Sequence, residues 1–183
     1  AYLELVPQIE LLPGVVETIE RWRGRYRMAV ASSSPYRELI ALLEHNGLRD
    51  HFVQVVGGDM VHRKKPAPDI YRKAVSLLGM VPSACIAFED SQSGVEAAKS
   101  AGLAAVAVPH AMSLDHDFSS ADMVLDSLAD FDERSLQLLA TLIRCVAVCV
   151  VCPERPFGSA PATLKYRRIP YRMSWASATL ARI

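Results

Sequence analysis

The sequence lacks any apolar run that approaches the roughly 18 residues of a membrane-spanning helix. Its first ten residues have neither the basic start nor the long apolar stretch of a secretory signal peptide. Cysteines are few, and three of the four (Cys145, Cys149 and Cys152, but not Cys85) crowd together, unlike the even spacing of a secreted disulfide framework. These absences predict a cytoplasmic protein with no membrane partner.

The chain also lacks net charge, because 20 Lys and Arg residues balance 20 Asp and Glu residues. The balance is uneven along the chain, since residues 144–183 hold seven basic residues and one acidic residue, which leaves residues 1–143 with a net charge of −6. An acidic body and a tail without an ordered basic stripe exclude nucleic acid as the expected partner. The length of 183 residues and the apolar content of 51% suit one folded domain, which we expect to be monomeric.

An alternation of helical and strand patterns is present from residue 12 to residue 142. The predicted strands are short and apolar: Arg27–Ala31, Phe52–Val56, Cys85–Phe88, Ala104–Val108 and Met123–Leu125. The predicted helices are Val15–Arg23, Tyr36–Asn46, Asp69–Leu78 and Val95–Ala101. Strands separated by helices form parallel βαβ units. The pattern therefore predicts a doubly wound, Rossmann-like α/β sheet that binds ligands beyond the carboxyl ends of its strands.

Two adjacent carboxylates, Glu89 and Asp90, follow one predicted strand and precede a helix. Such a pair is costly unless a cation or hydrogen-bond donors compensate it, and Mg²⁺ prefers carboxylate and water oxygens. The pair is therefore a candidate metal site. The alternative interpretation is that Asp90 or Ser91 only caps the helix.

Two further polar clusters lie at a strand end and before a helix. Ser32-Ser33-Ser34 connects a strand to a helix, where hydroxyls and backbone N–H groups can hold a phosphate, although serine helix capping is the alternative. Arg63–Asp69 (R-K-K-P-A-P-D) is a basic loop that contains two prolines. A lysine in this loop is suited to neutralise a phosphoryl group, and the alternative is a solvated charged loop.

Three strings occur in a fixed order: A-S-S-S-P, K-K-P-A-P-D-I-Y and F-E-D-S-Q-S-G-V-E-A-A-K-S-A-G. Together they resemble the second, third and fourth motifs of the haloacid dehalogenase superfamily, and more narrowly its β-phosphoglucomutase-like branch. The resemblance covers residues 2–131. It implies a magnesium-dependent phosphatase or phosphomutase that acts on a small phosphorylated metabolite, expected to be a sugar phosphate, through an aspartyl-phosphate.

The resemblance also implies a role for each matched residue. Ser32 matches the serine that hydrogen-bonds the transferring phosphoryl group, and Ser33 adds its backbone N–H. Lys65 matches the lysine that pairs with both nucleophile and phosphate, so Ser32 and Lys65 are the candidate catalytic residues. Asp90 matches the direct Mg²⁺ ligand, and Glu89 matches the neighbouring acid, which acts on the metal directly or through water.

The family's first motif, D-x-D-G-T, does not occur in the 183 residues. In the family this motif supplies the nucleophile, at the end of a central strand. Asp115-His116-Asp117 lacks the Gly-Thr that should follow it, so we do not assign it that role. We therefore expect an incomplete sheet without its central first strand, and a chain that is inactive alone. The alternative is a catalytically inactive remnant that retains a phosphate or metal site.

The same resemblance predicts three segments in the chain. Residues 1–11 are expected to be the last piece of the family's helical cap domain, and residues 12–142 its Rossmann-like core. Residues 143–183 lose the family's pattern and are expected to be out of frame or disordered. One hypothesis for this tail is that the apolar run Val146–Val151 fills the vacant central slot. His110 and His116 are expected in a solvent loop, with no assigned role.

Overall fold

The computed structural model describes residues 6–9 and 11–142. Its helices are α1 (Val15–Trp22), α2 (Tyr36–His45), α3 (Asp69–Leu78), α4 (Gln92–Ala101) and α5 (Glu133–Leu142), and its strands are β1 (Ala29–Ala31), β2 (Gln54–Val56), β3 (Ile86–Glu89), β4 (Ala104–Ala107) and β5 (Met123–Val124). The predictions for residues 143–183, including a strand at Val146–Val151, lie outside the described residues. No helix of the described part is both long and apolar enough to cross a membrane.

The strands pair in parallel, which confirms the predicted α/β class with alternating strands and helices. β1 pairs with β2, so that Ala29 lies opposite Gln54. β3 pairs with β4, where Ile86 lies opposite Ala104, and β4 pairs with β5. Within residues 6–9 and 11–142 these strands form two separate sheets, with the orders β1-β2 and β3-β4-β5.

Each sheet has two edges without a neighbouring strand among the described residues, and those of β1 and β3 lie next to the candidate site residues. Ser32 N–H donates to Val56 O, and Val108 N–H donates to Glu89 O. The backbone groups of successive strand residues point in opposite directions. Those of Ala31 and Phe88, one residue before Ser32 and Glu89, therefore point away from the paired strand. The backbone groups on these open edges belong to Ala29 and Ala31 in β1 and to Ile86 and Phe88 in β3.

Helices cover both faces of the sheets, as the doubly wound prediction requires. One apolar core packs α1, α2 and α5 against the strands through Trp22, Leu39, Val55, Ile86, Val106, Phe131 and Leu139. The other packs α3 and α4 against the opposite face through Val56, Ile70, Ala87, Val95, Ala98 and Ala105. Alternate strand residues enter different cores, because successive side chains point to opposite faces.

One predicted helix start needs correction, and one helix was not predicted. The helix predicted to begin at Val95 begins at Gln92, because the Ser91 hydroxyl accepts a hydrogen bond from Gly94 N–H at 3.2 Å and caps the helix there. The sequence interpretation did not include α5. That helix starts after Asp132, whose carboxylate accepts from Ser135 N–H at 2.8 Å, and it buries Leu139 against the first core.

Candidate active site

The serine turn lies directly after β1, at the carboxyl end of that strand. Ser32 is buried, and its hydroxyl accepts a hydrogen bond from Ser34 N–H at 3.2 Å. No serine of this turn caps α2. Instead the carboxylate of Asp59, from the turn after β2, accepts from Tyr36 N–H at 2.8 Å. The serine-cap alternative is therefore wrong, and the Ser32 hydroxyl belongs to a tight turn at the sheet edge.

Two glycines let the turn after β2 lie against the serine turn. A Cβ atom on Gly58 would overlap the backbone of Ser33, and one on Gly57 would overlap the backbone of Tyr36. Gly58 N–H also donates to Ser34 O at 2.8 Å. The backbone of the serine turn is therefore supported from the neighbouring strand's turn, which leaves little freedom to the Ser32-Ser33 segment.

The Lys65 side chain is largely buried, unlike that of Arg63 in the same basic loop. The Arg63 side chain is 68% exposed and forms a two-point ion pair with Asp69, at 2.8 and 3.1 Å. The Lys65 side chain is only 12% exposed, and its Nζ donates to Glu89 Oε1 at 2.5 Å and to Ala31 O at 3.2 Å. The solvated-loop alternative thus describes Arg63, whereas the ammonium group of Lys65 bridges the ends of β1 and β3.

The carboxylate of Glu89 is buried among Lys65, Tyr71 and Gly94. Its side chain is 4% exposed, and Oε1 accepts from both Lys65 Nζ and the Tyr71 hydroxyl. Burial, and then the charge of Glu89, raise the pKa of Tyr71 well above its ordinary value, so the phenol is a protonated donor. Gly94 packs against the carboxylate so closely that a Cβ atom would overlap Glu89 Oε2.

Asp90 has the opposite surroundings. Its side chain is 33% exposed, and Oδ2 lies 3.2 Å from His110 Nε2. Helix capping falls to Ser91 and not to Asp90. The cap alternative is thus correct for Ser91 and leaves the Asp90 carboxylate available, since no hydrogen bond from the described residues reaches Oδ1.

His110 corrects the expectation of a solvent loop without a role. The residue is buried, whereas His116 is exposed as expected and accepts a hydrogen bond from Gln92 N–H at 3.3 Å. The register of the sheet explains this burial, because Glu89 lies opposite Ala107 and the end of β4 is therefore beside Asp90. A histidine two residues after the predicted strand Ala104–Val108 was the signal that sequence reasoning missed.

The charges of the site are suited to a divalent cation. Lys65 compensates Glu89, but no Lys or Arg of the described residues pairs with Asp90. The described residues contain no cluster of three or more His, Cys, Asp or Glu side chains able to hold a metal. Mg²⁺ typically takes one or two carboxylates and completes its shell with water and phosphate oxygens. Asp90, with one open oxygen, fits a part of such a shell.

The predicted site residues lie at the carboxyl ends of β1 and β3. Lys65 contacts Glu89 directly and Ala31 directly, and Ser32 follows Ala31 in the chain. Asp90 follows Glu89 at the end of β3. The hydrogen bonds of the described residues do not join Ser32 or Ser33 to Lys65 or Asp90. The hydroxyl, ammonium and carboxylate groups of the candidate site thus come from three separate segments of the chain.

Known proteins are similar to this chain in both sequence and fold. The family model for haloacid dehalogenase-like hydrolase matches residues 2–108. Protein CbbY from Rhodobacter capsulatus is 39% identical over 134 residues, which are 70% of this chain and 59% of that protein. The fructose-1-phosphate phosphatase YqaB from Escherichia coli is 41% identical over 104 residues, 57% of this chain and 55% of that protein.

A solved structure of a CbbY mutant from Rhodobacter sphaeroides in complex with xylulose-1,5-bisphosphate has a TM-score of 0.64 and 36% identity. That match covers 70% of this chain and 60% of the solved one. The chain thus spans between 55% and 60% of the length of these three relatives. The chain belongs to the haloacid dehalogenase-like hydrolase family, in the branch of CbbY and β-phosphoglucomutase.

Proposed function

We propose that this chain carries most of the active site of a magnesium-dependent phosphatase or phosphomutase that acts on a small phosphorylated sugar. One observation carries the proposal: two adjacent carboxylates at the end of β3 have opposite electrostatic surroundings. Glu89 is buried and neutralised by Lys65, whereas Asp90 is half-exposed and has no cationic side chain beside it in the described residues. An uncompensated carboxylate at a strand end is suited to bind a cation.

In this proposal each matched residue has a separate task. Asp90 holds Mg²⁺, and Glu89 contributes through water while it fixes the ammonium group of Lys65. The Ser32 hydroxyl and the Ser33 N–H bind the phosphoryl oxygens, and Lys65 balances the negative charge of the group in transfer. Bound Mg²⁺ supplies Lewis-acid stabilisation of the phosphoryl oxygens.

The attacking carboxylate is proposed to come from outside the 183 residues, since they contain no D-x-D-G-T string. The open edges of β1 and β3 flank Lys65, whose Nζ already bonds to Ala31 O at one of them. An additional strand there would place an aspartate beside this ammonium group. Its carboxylate would take the phosphoryl group as the sugar oxygen leaves, and water or a second sugar hydroxyl would then accept that group.

The relatives favour a sugar phosphate as the substrate. YqaB is a fructose-1-phosphate phosphatase, and the solved CbbY mutant holds xylulose-1,5-bisphosphate. Both ligands are small phosphorylated ketoses, so we propose this class for the present protein. The choice between phosphatase and mutase depends on whether water or sugar receives the phosphoryl group.

The coding sequence upstream of Ala1 provides the first test, because an in-frame D-x-D-G-T would complete the site. The protein that includes this segment is then incubated with Mg²⁺ and fructose 1-phosphate or xylulose 1,5-bisphosphate, and inorganic phosphate and isomerised sugar are measured. We expect turnover, and we expect Asp90→Asn to lower kcat/KM by roughly 100-fold or more, as loss of a preorganised electrostatic group does. Equal turnover by Asp90→Asn would contradict the metal role.

The absence of the first motif also supports a second candidate, a non-catalytic remnant that retains a phosphate or metal site. This candidate predicts no in-frame D-x-D-G-T upstream and no turnover of any sugar phosphate. Calorimetric titration with inorganic phosphate in the presence of Mg²⁺ would still show binding that Asp90→Asn and Lys65→Met weaken. Turnover that depends on Asp90 would exclude it.

A further inference from the structure

The loop after β4 folds back over the end of β3 and buries one histidine. The imidazole of His110 is 8% exposed, and its Nε2 lies 3.2 Å from Asp90 Oδ2. The two residues are 20 positions apart in the chain. None of the roles proposed above uses this contact.

Hydrogen bonds within the loop fix the orientation of the ring. Met112 N–H donates to His110 Nδ1 at 3.1 Å, and His110 N–H donates to Ser113 Oγ at 3.0 Å. The Ser113 hydroxyl in turn donates to His110 O at 3.3 Å. Because Nδ1 acts as an acceptor, the ring proton belongs on Nε2, which therefore donates to Asp90 Oδ2.

A neutral donor holds a carboxylate without cancelling its charge. Lys65 forms an ion pair with Glu89 and so neutralises it. His110 in the tautomer described above leaves the negative charge on Asp90 and fixes only one of its two oxygens. The other oxygen, Oδ1, is left for a further partner, since no hydrogen bond from the described residues reaches it.

We propose that His110 is a positioning residue, whose Nε2–H holds Asp90 Oδ2 so that Oδ1 is presented to a divalent cation. This inference rests on the proposed function, because it takes Asp90 as the Mg²⁺ ligand. A donor that orients a ligating side chain typically changes metal affinity by about 10- to 100-fold when it is removed. A merely structural histidine would stabilise the loop without affecting cation affinity through its donor.

Binding of Mn²⁺ to the purified chain tests this role without requiring turnover. Carboxylate sites accept Mg²⁺ and Mn²⁺ alike, and free Mn²⁺ can be followed by its EPR signal during a titration. The variants are His110→Ala, His110→Gln and the control His116→Ala, which removes a histidine of the same loop that does not contact Asp90. Glutamine restores an N–H donor at about the reach of Nε2, but not the acceptor for Met112 N–H.

We expect His110→Ala to weaken Mn²⁺ binding by about tenfold or more. His110→Gln should recover most of that affinity, and His116→Ala should bind as the parent chain does. Far-UV circular dichroism and thermal unfolding establish that each variant is folded. If His110→Ala keeps the parent affinity, or if His110→Gln binds as weakly as His110→Ala, the positioning role is wrong.

Failure of the proposed function has a different signature in the same experiment. A parent chain that binds no Mn²⁺, or an Asp90→Asn variant that binds it as tightly as the parent, contradicts the metal role of Asp90 itself. Long-range ¹H–¹⁵N NMR of the parent chain adds a readout that does not depend on metal. We expect a protonated Nε2 and an unprotonated Nδ1 for His110, and the reverse tautomer would overturn the inference.

Discussion

At the scale of single residues, Glu89 and Asp90 differ because a strand directs successive side chains to opposite sides. Glu89 shares its face of β3 with Ala87, which lies in the core beneath α3 and α4. Its carboxylate therefore meets Tyr71 and Lys65. Asp90, one position further, turns away from that core towards the loop after β4. The sequence showed two equivalent acids, and the pleat of the strand made them different.

The ion pair between Lys65 and Glu89 leads to a stability prediction. Removing one partner of a buried pair leaves an uncompensated charge, which typically costs about 3–5 kcal/mol. We expect Lys65→Met to lower the free energy of unfolding by about 3 kcal/mol, and the double variant Lys65→Met with Glu89→Gln to recover part of it. Urea denaturation measures both.

The matched control is Lys64→Met, which changes the exposed neighbouring lysine. A surface substitution of this kind should alter the free energy of unfolding by less than about 0.5 kcal/mol. If Lys65→Met and Lys64→Met unfold at the same urea concentration, the buried pair does not stabilise the fold.

At the scale of elements, the site depends on how helices begin. α4 starts at its own Ser91, but α2 takes its hydrogen-bond acceptor from Asp59, which is 23 residues away on the turn after β2. The first case is a local signal and the second is a contact between elements. A helix start that depends on a neighbouring turn ties the serine turn to β2, and so holds Ser32 and Ser33 in place.

The first turn of α4 reverses the usual preference for alanine over glycine. Alanine normally stabilises a helix by about 1 kcal/mol relative to glycine. A Cβ atom at Gly94 would instead overlap the Glu89 carboxylate. We expect Gly94→Ala to lower the free energy of unfolding by about 1–3 kcal/mol, as overpacking does, and to displace Glu89 from Lys65.

Thermal unfolding followed by circular dichroism tests this prediction. Ser93→Ala, a change in the same turn, is the control and should unfold close to the temperature of the parent chain. A Gly94→Ala variant that melts at a higher temperature than the parent would show that the Glu89 carboxylate is not packed against this turn.

At the scale of the whole molecule, two sheets share a pair of helical layers, and β1 and β3 each have one side without a neighbouring strand among the described residues. Strand alternation directs Ala31 and Phe88 N–H towards these edges, and Val30 and Ala87 N–H towards paired strands. We expect the amide protons of Ala31 and Phe88 to exchange at least about tenfold faster than those of Val30 and Ala87.

Hydrogen exchange followed by NMR measures this difference within single strands, so each fast amide has a slow neighbour as its control. Addition of the upstream segment, if it supplies the proposed strand, should slow exchange at Ala31 and Phe88 selectively. Equal protection of all four amides in the 183-residue chain would show that both edges are already paired.

Local patterns in the sequence were sufficient to predict the alternation of strands and helices and to indicate the candidate site residues. The short apolar strands and the helices between them predicted parallel pairing, because such units bury both faces of a sheet. The order of three motifs indicated Ser32, Lys65, Glu89 and Asp90 as the candidate site. α5 was missed although Asp132 before it and the spacing of Leu136 and Leu139 were compatible with a capped amphipathic helix.

The pairings within the site depended on tertiary structure. Lys65 meets Glu89 across 24 residues, and His110 meets Asp90 across 20. Periodicity and capping signals act within a few residues, whereas these contacts follow from which strands are neighbours and in what register. The sequence alone thus determined the fold class and the candidate residues. Only the tertiary structure decided that one carboxylate is neutralised and buried while the next is held by a histidine with an oxygen left open.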